Sequence, residues 1–290
     1  MSGSIGKKER AFRFLTQSGG LFRCPLCGAD MCDAEPFFRC GSGHNFSVSR
    51  KGVSTLLGRG QLKKSAVYDR ELFENRRRFI AGGYYRAAYE AILALVERHE
   101  KKEGAIRVLL DLGCGEGSHA RALRARLAPG KAKLIGMDLS KEAVELAGDY
   151  SDDKTFFFVG DVTNIPLREA SVDLALDFLS PYQAKETRRV LADDGLFVKV
   201  IPGERYLEEL RALAELAAYP GYEEEKLLGN ADFRLLARHR VTDVYALDEG
   251  ARQAASRMTL LTKNILSGGT ISTALPERVT IDLEILLLSK

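Results

Sequence analysis

Five short apolar runs, separated by amphipathic helical stretches, occupy the middle of the chain. The runs cover Arg107–Leu112, Lys133–Asp138, Thr155–Val159, Val172–Phe178 and Leu196–Ile201. The helical stretches cover Ser118–Leu127, Lys141–Asp149, Gln183–Leu191 and Glu204–Ala217. Continuous apolar strands that alternate with helices are typical of a parallel sheet covered on both faces. The pattern therefore predicts an α/β domain with a doubly wound, mostly parallel sheet.

The regions on either side of this alternation have different patterns. A helical pattern from Ser65 to His99 is interrupted by Gly82 and Gly83, which predicts two helices. Near the end of the chain, strand patterns at Arg238–Ala246 and Val279–Leu288 have no convincing crossover helix between them. These two late strands predict an antiparallel addition at one edge of the sheet.

The first 60 residues show little regular periodicity. Residues 1–20 mix charges with Gly and Ser, and residues 21–58 are dense in Cys, Gly and turn residues. A segment of that size buries too little apolar surface to fold without a metal or another staple. We expect a flexible arm over 1–20, a metal-binding module over 21–60, linking helices over 61–104 and the α/β domain over 105–290.

Composition narrows the class of protein. Of the 290 residues, 45% are hydrophobic and 29% charged, which excludes general disorder and fits about two domains. The net charge of +3 is uneven, because residues 1–80 carry +8 and residues 81–290 carry −5. A basic front predicts contact with a polyanion, although a solvated basic face without a partner would give the same charge.

The five cysteines and the absence of export or membrane signals indicate a compartment. Four cysteines lie within 17 residues, and the fifth, Cys114, stands alone. No apolar stretch reaches the ~18–20 residues that span a bilayer, and no apolar run follows the first charges. An odd, clustered set of cysteines argues against a disulfide framework and for a metal site. We therefore expect a cytoplasmic protein.

A zinc signature accounts for the clustered cysteines. Cys24, Cys27, Cys40 and His44 have the spacing C-x2-C-x12-C-x3-H, which supplies three thiolates and one imidazole for tetrahedral Zn²⁺. Such a site is full and leaves no position for substrate, so we predict a structural role. Cys32 does not fit the spacing and is expected to be a spare thiol.

Cations and aromatic residues are interleaved in and after this module. The cations are Arg23, Arg39, Arg50, Lys51, Arg59, Lys63, Lys64, Arg76, Arg77 and Arg78, and the aromatic residues are Phe22, Phe37, Phe38 and Phe46. Cations bind phosphates and rings stack on unpaired bases, so the pattern favours a nucleic-acid surface. The rings could equally form the small core of the module.

A glycine-rich turn follows the first apolar run. The segment Val108-Leu-Leu-Asp-Leu-Gly-Cys-Gly-Glu-Gly117 leads from a strand into a helix, with glycines at 113, 115 and 117. Acids end three successive strands, at Asp111, Asp138 and Gly160-Asp161-Val162. Such acids suit the ammonium, ribose and adenine of S-adenosylmethionine better than a dinucleotide. A dinucleotide site, and a bracing role for Asp111 alone, both stay open.

From about Phe22 onward the chain resembles the bacterial 23S rRNA (guanine-N1)-methyltransferases. The similarity rests on the metal spacing and on Gly43-His44-Asn45-Phe46, Gly52 with Leu56-Leu57, Arg76-Arg77-Arg78-Phe79, Gly83-Tyr84-Tyr85, Asp111 to Gly117, and Pro202-Gly203-Glu204-Arg205-Tyr206-Leu207. The resemblance implies a class I (Rossmann-like) methyltransferase domain with a seven-stranded sheet whose last strand is antiparallel. It implies S-adenosylmethionine and structural zinc as cofactors and a 23S rRNA hairpin as partner.

The resemblance also implies roles for individual residues. Tyr85, Gly115 and Glu116 would contact the cofactor, Tyr206 would lie beside it, and the Cys3His set would hold zinc. Departures fall on segments that face the target in relatives: Phe46 to Val53 after the metal histidine, Met258-Thr259-Leu260 instead of Met-Thr-Pro, and Ser180-Pro181-Tyr182 instead of Ala-Pro-Cys. Relatives also carry an Arg where this chain has Asp177, so the target nucleotide is not fixed.

Methylation at guanine N1 requires removal of the N1 proton and a pocket for an unstacked base. We predict Asp177 as the proton acceptor and Tyr182 as the stacking wall, while Asp177 could instead cap a turn. Two other classes of protein remain: a methyltransferase of a small molecule or protein, and a non-catalytic RNA-binding protein with a vestigial cofactor fold. A homodimer is also left open.

Overall fold

The computed structural model describes residues 5–34, 37–58, 60, 68–100, 106–127, 132–219, 232–262 and 275–290. In these ranges the α-helices are α1 (Lys7–Ser18), α2 (Arg70–Ala81), α3 (Arg86–His99), α4 (Ser118–Leu127), α5 (Lys141–Ala147), α6 (Ala184–Val190), α7 (Glu208–Leu213) and α8 (Glu249–Arg257). Side chains of Asp69, Ser140 and Asp248 cap α2, α5 and α8 by accepting a backbone N–H of the first turn.

The strands of the same ranges form two sheets. They are β1 (Met31–Ala34), β2 (Phe37–Cys40), β3 (Asn45–Ser47), β4 (Val53–Thr55), β5 (Val108–Leu112), β6 (Lys133–Asp138), β7 (Thr155–Val159), β8 (Val172–Phe178), β9 (Leu191–Pro202), β10 (Arg234–Ala246) and β11 (Arg278–Ser289). Strands β1 to β3 make a small antiparallel sheet within residues 22–47, which carry Cys24, Cys27, Cys40 and His44 and form the metal-ligand segment.

The large sheet has the order β10-β11-β9-β8-β5-β6-β7-β4. Strand β11 runs antiparallel to both of its neighbours, β10 and β9, and the pairs from β9 to β4 are parallel. The predicted class I arrangement with an antiparallel last strand is confirmed. The sheet has an eighth strand because β4, inside the predicted module of 21–60, pairs with β7, so that module is joined to the sheet at its end.

Side chains of the central strands alternate between two apolar layers. Leu109 and Phe157 face a core shared with α3 and α4. Leu110, Phe156 and Phe158 face a second core, which includes α1 and the metal-ligand segment. Alternation puts neighbouring residues on opposite faces, so strands with apolar residues on both faces need cover on both sides. The N-terminal residues provide the cover on the second face.

The prediction of a flexible arm over residues 1–20 is wrong for its described part, where α1 packs on the sheet. Ala11, Phe14, Leu15 and Ser18 are buried at the i, i+3, i+4, i+7 spacing of one helical face. The Phe14 ring stacks on Phe156 with 5.7 Å between centroids. The sequence pattern did not reveal this apolar stripe because charged residues lie between its positions.

Strand positions followed the sequence more closely than helix positions near the end of the chain. Strands β6, β7 and β8 begin and end where the pattern predicts. Strand β9 starts earlier, at Leu191, and α7 covers only Glu208–Leu213. The two late strands pair antiparallel, as predicted, and α8, which the pattern did not show, lies between them in the chain and packs against α2.

Candidate functional site

The four predicted zinc ligands converge in the small sheet. Their ligand atoms all lie within 4.8 Å of one another. His44 Nδ1 is 3.6 Å from Cys24 Sγ and 3.5 Å from Cys40 Sγ, and the Sγ atoms of Cys27 and Cys40 are 3.8 Å apart. A tetrahedral ion with Zn–S of ~2.3 Å and Zn–N of ~2.0 Å requires roughly 3.5–3.8 Å between ligand atoms. The donor set therefore fits zinc, and exposed Cys32 lies outside it.

The metal-ligand segment is tied to the large sheet by apolar and ionic contacts. The Phe22 ring packs edge-on against Phe156 and Phe158 at 6.2 and 6.3 Å. Arg23 Nη2 lies 3.3 Å from Oε2 of Glu186 in α6, and Arg168 Nη2 lies 2.7 Å from Asp30 Oδ1. These contacts fix the segment on the face that carries α6.

The cationic surface predicted from the sequence is partly used inside the molecule. Arg23 is paired with Glu186, Arg76 donates to the Met258 carbonyl, and Arg77 contacts Asp149. The rings of Phe22, Phe38 and Phe46 are buried, whereas Phe37 is 39% exposed. The suggestion that these aromatic residues stack on bases therefore fails for the three buried rings, and Arg59, Lys63 and Lys64 lie outside the described residues.

The glycine turn joins β5 to α4. Neighbouring side chains lie so close to this turn that they leave no room for a Cβ at two of its glycines. Gly113 has φ of 68°, and a Cβ there would lie 2.4 Å from Ser180 Oγ. That hydroxyl donates to the Leu112 carbonyl at 2.7 Å. Gly117 has φ of 85° and would place a Cβ 3.0 Å from the Phe157 ring. The turn therefore presents bare backbone between β5 and α4, with Gly115 at its middle.

Four acidic side chains surround this turn: Asp111, Glu116 and Asp177 are buried, and Asp138 is half-buried. Asp138 accepts the N–H of Gly115 at 2.9 Å. Burial raises the pKa of each, and neighbouring carboxylates raise the pKa of Asp111 further. Within the described part of the chain, Asp111 Oδ2 and Asp177 Oδ2 have no hydrogen-bond partner. An unsatisfied buried carboxylate is costly, so the turn is prepared for a ligand with positive charge or N–H donors.

An aromatic wall closes the side of the turn that faces α3. The hydroxyl oxygens of Tyr85 and Tyr206 are 2.7 Å apart, and burial raises the pKa of Tyr85 to about 12. The Tyr85 ring meets Phe178 edge-on at 5.6 Å, and His119 stacks on Phe178 at 3.9 Å. Burial lowers the pKa of His119 to about 3, so this ring is neutral and bonded to the Tyr89 hydroxyl. Tyr85 and Tyr206 thus lie together at this side of the turn.

The third acidic strand end differs from the other two. Asp161 Oδ1 accepts the N–H and the hydroxyl of Thr163 at 2.8 and 2.7 Å, so it stabilises its own turn. Val162 packs against the second core. The backbone still links this turn to the site, because the Gly160 N–H donates to the Asp138 carbonyl at 2.9 Å.

The predicted catalytic pair lies at the end of β8, on the face that carries the metal-ligand segment. Asp177 Oδ1 accepts from Lys199 Nζ at 2.6 Å, and burial raises the pKa of Asp177 to about 6 against the lowering effect of Lys199. Lys199 Nζ lies 4.9 Å from the Tyr182 ring centroid, and that ring packs on Phe197. Asp177 also accepts the Ser180 N–H at 3.3 Å, as a turn cap would.

Two residues around the site were missed in the sequence: Lys199 pairs with Asp177, and Asp282 of β11 holds the turn before Tyr206. Arg76 of α2 was assigned only to the nucleic-acid surface, yet its Nη1 would lie 3.9 Å from a Cβ on Gly115. Lys199 is the only charged residue in the apolar run Leu196–Ile201, which is a usable signal. Asp282 gave no such signal, because Glu284 follows it two residues later in the same strand.

Comparison with known proteins agrees with this geometry. Residues 109–195 match the family model described as a methyltransferase domain. A Haloferax volcanii protein, provisionally assigned as a methyltransferase and solved with the Trm112 activator, is 20% identical with a TM-score of 0.51, and the match covers 78% of this chain and 98% of that one. This likeness shows the fold.

Two curated relatives are similar over much of their length. The 23S rRNA (guanine(748)-N(1))-methyltransferase of Streptomyces fradiae is 28% identical over 79% of this chain and 81% of its own. YxjB of Bacillus subtilis, provisionally named a 23S rRNA (guanine-N(1)-)-methyltransferase, is 37% identical over 66% of this chain and 67% of its own. The chain therefore belongs to the 23S rRNA (guanine-N1)-methyltransferase family and is an S-adenosylmethionine-dependent methyltransferase.

Proposed function

We propose that the protein transfers the methyl group of S-adenosylmethionine to N1 of a guanine in a hairpin of 23S rRNA. The observation that carries the proposal is a pair of carboxylate oxygens, Asp111 Oδ2 and Asp177 Oδ2, which lie at the ends of adjacent strands and have no hydrogen-bond partner among the residues that the structure describes. One oxygen suits the ammonium group of the cofactor, and the other suits the N1–H of the target base.

The face on which each acid lies supports this division. Side chains alternate along β5 and β8, so Asp111 shares the face of Tyr85 and Tyr206, and Asp177 shares the face of Tyr182 and the metal-ligand segment. We assign the first face to the cofactor and the second to the RNA. The metal-ligand segment reaches the second site through Arg23 and α6, which begins two residues after Tyr182.

We assign the cofactor to the residues that surround the glycine turn. Asp111 would bind the ammonium group, Asp138 the ribose hydroxyls and the turn of Gly113, Gly115 and Gly117 the methionyl backbone. Tyr85, Glu116 and Tyr206 would line the site, with Asp161 and Val162 beside the adenine. When bound, S-adenosylmethionine supplies an activated methyl group on a sulfonium.

In the proposed mechanism this chain positions the base and accepts its proton. Tyr182 would stack on the extruded guanine, and Asp177 Oδ2 would accept the N1 proton as N1 bonds to the methyl group that the cofactor would supply. Because Asp177 must be ionised, activity should rise with pH through its pKa of about 6.

Cys24, Cys27, Cys40 and His44 would hold one structural Zn²⁺. The ion would fix the small sheet on the face of Asp177, where the basic front of the chain can meet RNA phosphates. No helix among the described residues combines the length and apolar character that a membrane span needs.

The test is methylation of a 23S rRNA transcript with labelled S-adenosylmethionine, followed by mass analysis of the nucleosides. We expect 1-methylguanosine, and we expect the same nucleoside to be missing from cellular rRNA when the gene is deleted. A transcript with the modified guanine changed to adenine is the matched control. No transfer to rRNA, or transfer to another atom or nucleoside, would contradict the proposal.

The role of Asp177 is tested by Asp177→Ala. Turnover should collapse, because a general base typically contributes about 10²–10⁴-fold, while the dissociation constant for the cofactor stays near the wild-type value. Normal turnover in this variant would remove Asp177 from the mechanism.

A further inference from the structure

Lys199 is a buried lysine at the centre of the proposed target site. Only 5% of the residue is exposed, and Lys199 and Asp177 are paired neighbours on the parallel strands β9 and β8. Its Nζ is 2.6 Å from Asp177 Oδ1 and 2.6 Å from the Ser180 carbonyl oxygen, to both of which it donates. Two contacts of this length fix the ammonium group between β8 and the turn that follows it.

The hydrogen bonds to Asp177 are distributed unequally between its two carboxylate oxygens. Oδ1 accepts from Lys199 Nζ and from the Ser180 N–H, while Oδ2 has no hydrogen-bond partner within the described ranges. A buried ion pair placed only for stability would be expected to satisfy both oxygens, because an unsatisfied buried acceptor is costly. The arrangement instead holds one oxygen and leaves the other for a donor from outside the chain.

We propose that Lys199 is a positioning residue that keeps the Asp177 carboxylate ionised and turned so that Oδ2 faces the target nitrogen. The inference rests on the proposed function, because it assigns Asp177 as the acceptor of the N1 proton. The same lysine also positions the stacking wall, since it lies over the Tyr182 ring and holds the Ser180 carbonyl in the turn between them.

The charges near Asp177 make the effect of Lys199 measurable. From β5, Asp111 is the nearby acid, whose pKa the Asp177 charge raises, and from β9 the ammonium group of Lys199 favours ionisation of Asp177. From the turn after β8, Ser180 donates to Asp177, and the neutral Tyr182 hydroxyl carries no charge at neutral pH. Lys199 is the cation that Asp177 contacts, so without it Asp177 should take up its proton at a higher pH.

The experiment compares Lys199→Met with wild type in single-turnover methylation of the rRNA transcript across a pH series. We expect turnover about 10²-fold lower at neutral pH, with a deficit that shrinks as pH rises, because the acid limb moves upward and guanine begins to lose its own N1 proton. The cofactor dissociation constant should stay near the wild-type value. Lys199→Arg should restore part of the rate.

Two further variants separate catalysis from folding. Lys199→Met leaves Asp177 unpaired in the interior, so the neutral double variant Lys199→Met with Asp177→Asn should fold and bind cofactor yet remain inactive. Lys133→Met, at the opposite end of the neighbouring strands, removes a half-buried lysine that donates to the Gln17 carbonyl, and it should keep wild-type kinetics.

The outcomes distinguish the inference from the proposed function. A deficit in Lys199→Met that is the same at every pH, or wild-type turnover, would overturn the positioning role while 1-methylguanosine formation by wild type stands. Failure of wild type to form 1-methylguanosine would overturn the proposed function itself, and the inference with it.

Discussion

The Cys3His cluster and the acidic residues around the glycine turn are both groups of side chains that can bind a positive charge. They differ in that the four cluster residues form a complete ligand set, whereas the acidic residues leave oxygens for a ligand. In the cluster, four ligand atoms lie within 4.8 Å of one another around one point. Around the turn, carboxylates line successive strand ends and two oxygens have no partner among the described residues. A closed set holds one ion permanently, whereas an open row accepts a ligand that enters and leaves.

The largest expected effect comes from breaking the closed set with Cys40→Ser. The apparent binding free energy of a structural zinc is about 10–16 kcal/mol, so loss of one ligand should abolish stoichiometric zinc and lower the melting temperature. Elemental analysis and thermal unfolding measure both. Cys32→Ser is the matched control, because its thiol is exposed and lies outside the cluster. Full zinc content in Cys40→Ser would disprove the assignment.

In the acidic residues around the glycine turn, Asp111→Asn should affect cofactor binding and should not lower the stability of the fold. Cofactor binding should weaken by about 10- to 100-fold, the range for a hydrogen bond to a charged group, as measured by calorimetry. Burial raises the pKa of Asp111, so its ionised form destabilises the fold above its unfolded pKa, and the neutral variant should melt no lower at neutral pH without cofactor.

A matched control for Asp111→Asn is Asp173→Asn. Asp173 accepts the N–H groups of Arg107 and Val108 at the opposite end of the sheet. This variant should leave the cofactor affinity unchanged. Equal loss of affinity in both variants would show that Asp111 acts through the fold and not through the ligand.

A smaller effect sharpens the role of the turn that carries Tyr206. Asp282 accepts from both Arg240 and the Arg205 N–H, and a Cβ on Gly203 would overlap its carboxylate. Asp282→Asn should weaken cofactor binding by about threefold to tenfold through the Tyr206–Tyr85 contact, with the rate at saturating cofactor unchanged.

The neighbouring pair Arg238–Glu284 supplies the control for Asp282→Asn. It joins the same two strands with contacts of 2.6 and 2.7 Å, whereas the turn is held by Asp282, so Glu284→Gln should leave cofactor affinity unaltered. Arg240 lowers the pKa of Asp282 to about 2. The ionised Asp282 side chain therefore stabilises the folded protein above the unfolded pKa of ~4, and this stabilisation is lost as pH falls toward 2. Melting temperatures of wild type and Asp282→Asn should therefore converge in acid.

The sequence pattern predicted correctly those features whose structure depends on residues close together in the chain. The limits of β6, β7 and β8, the break at Gly82 and Gly83 and the metal spacing all follow from short-range rules. Helix α1 was missed because its apolar stripe is interrupted by charges, and α8 because its nine residues bury only Ala254, Ala255 and Ser256.

By itself, the sequence determined the parallel α/β domain, the Cys3His cluster, the glycine turn and the acids at the strand ends, because each depends on spacing within short segments. Only the tertiary structure decided that Lys199 pairs with Asp177, that Asp282 holds the turn of Tyr206 and that α1 covers the sheet. Those contacts join positions that are far apart in the chain, and their energies depend on burial and register, which no single segment encodes.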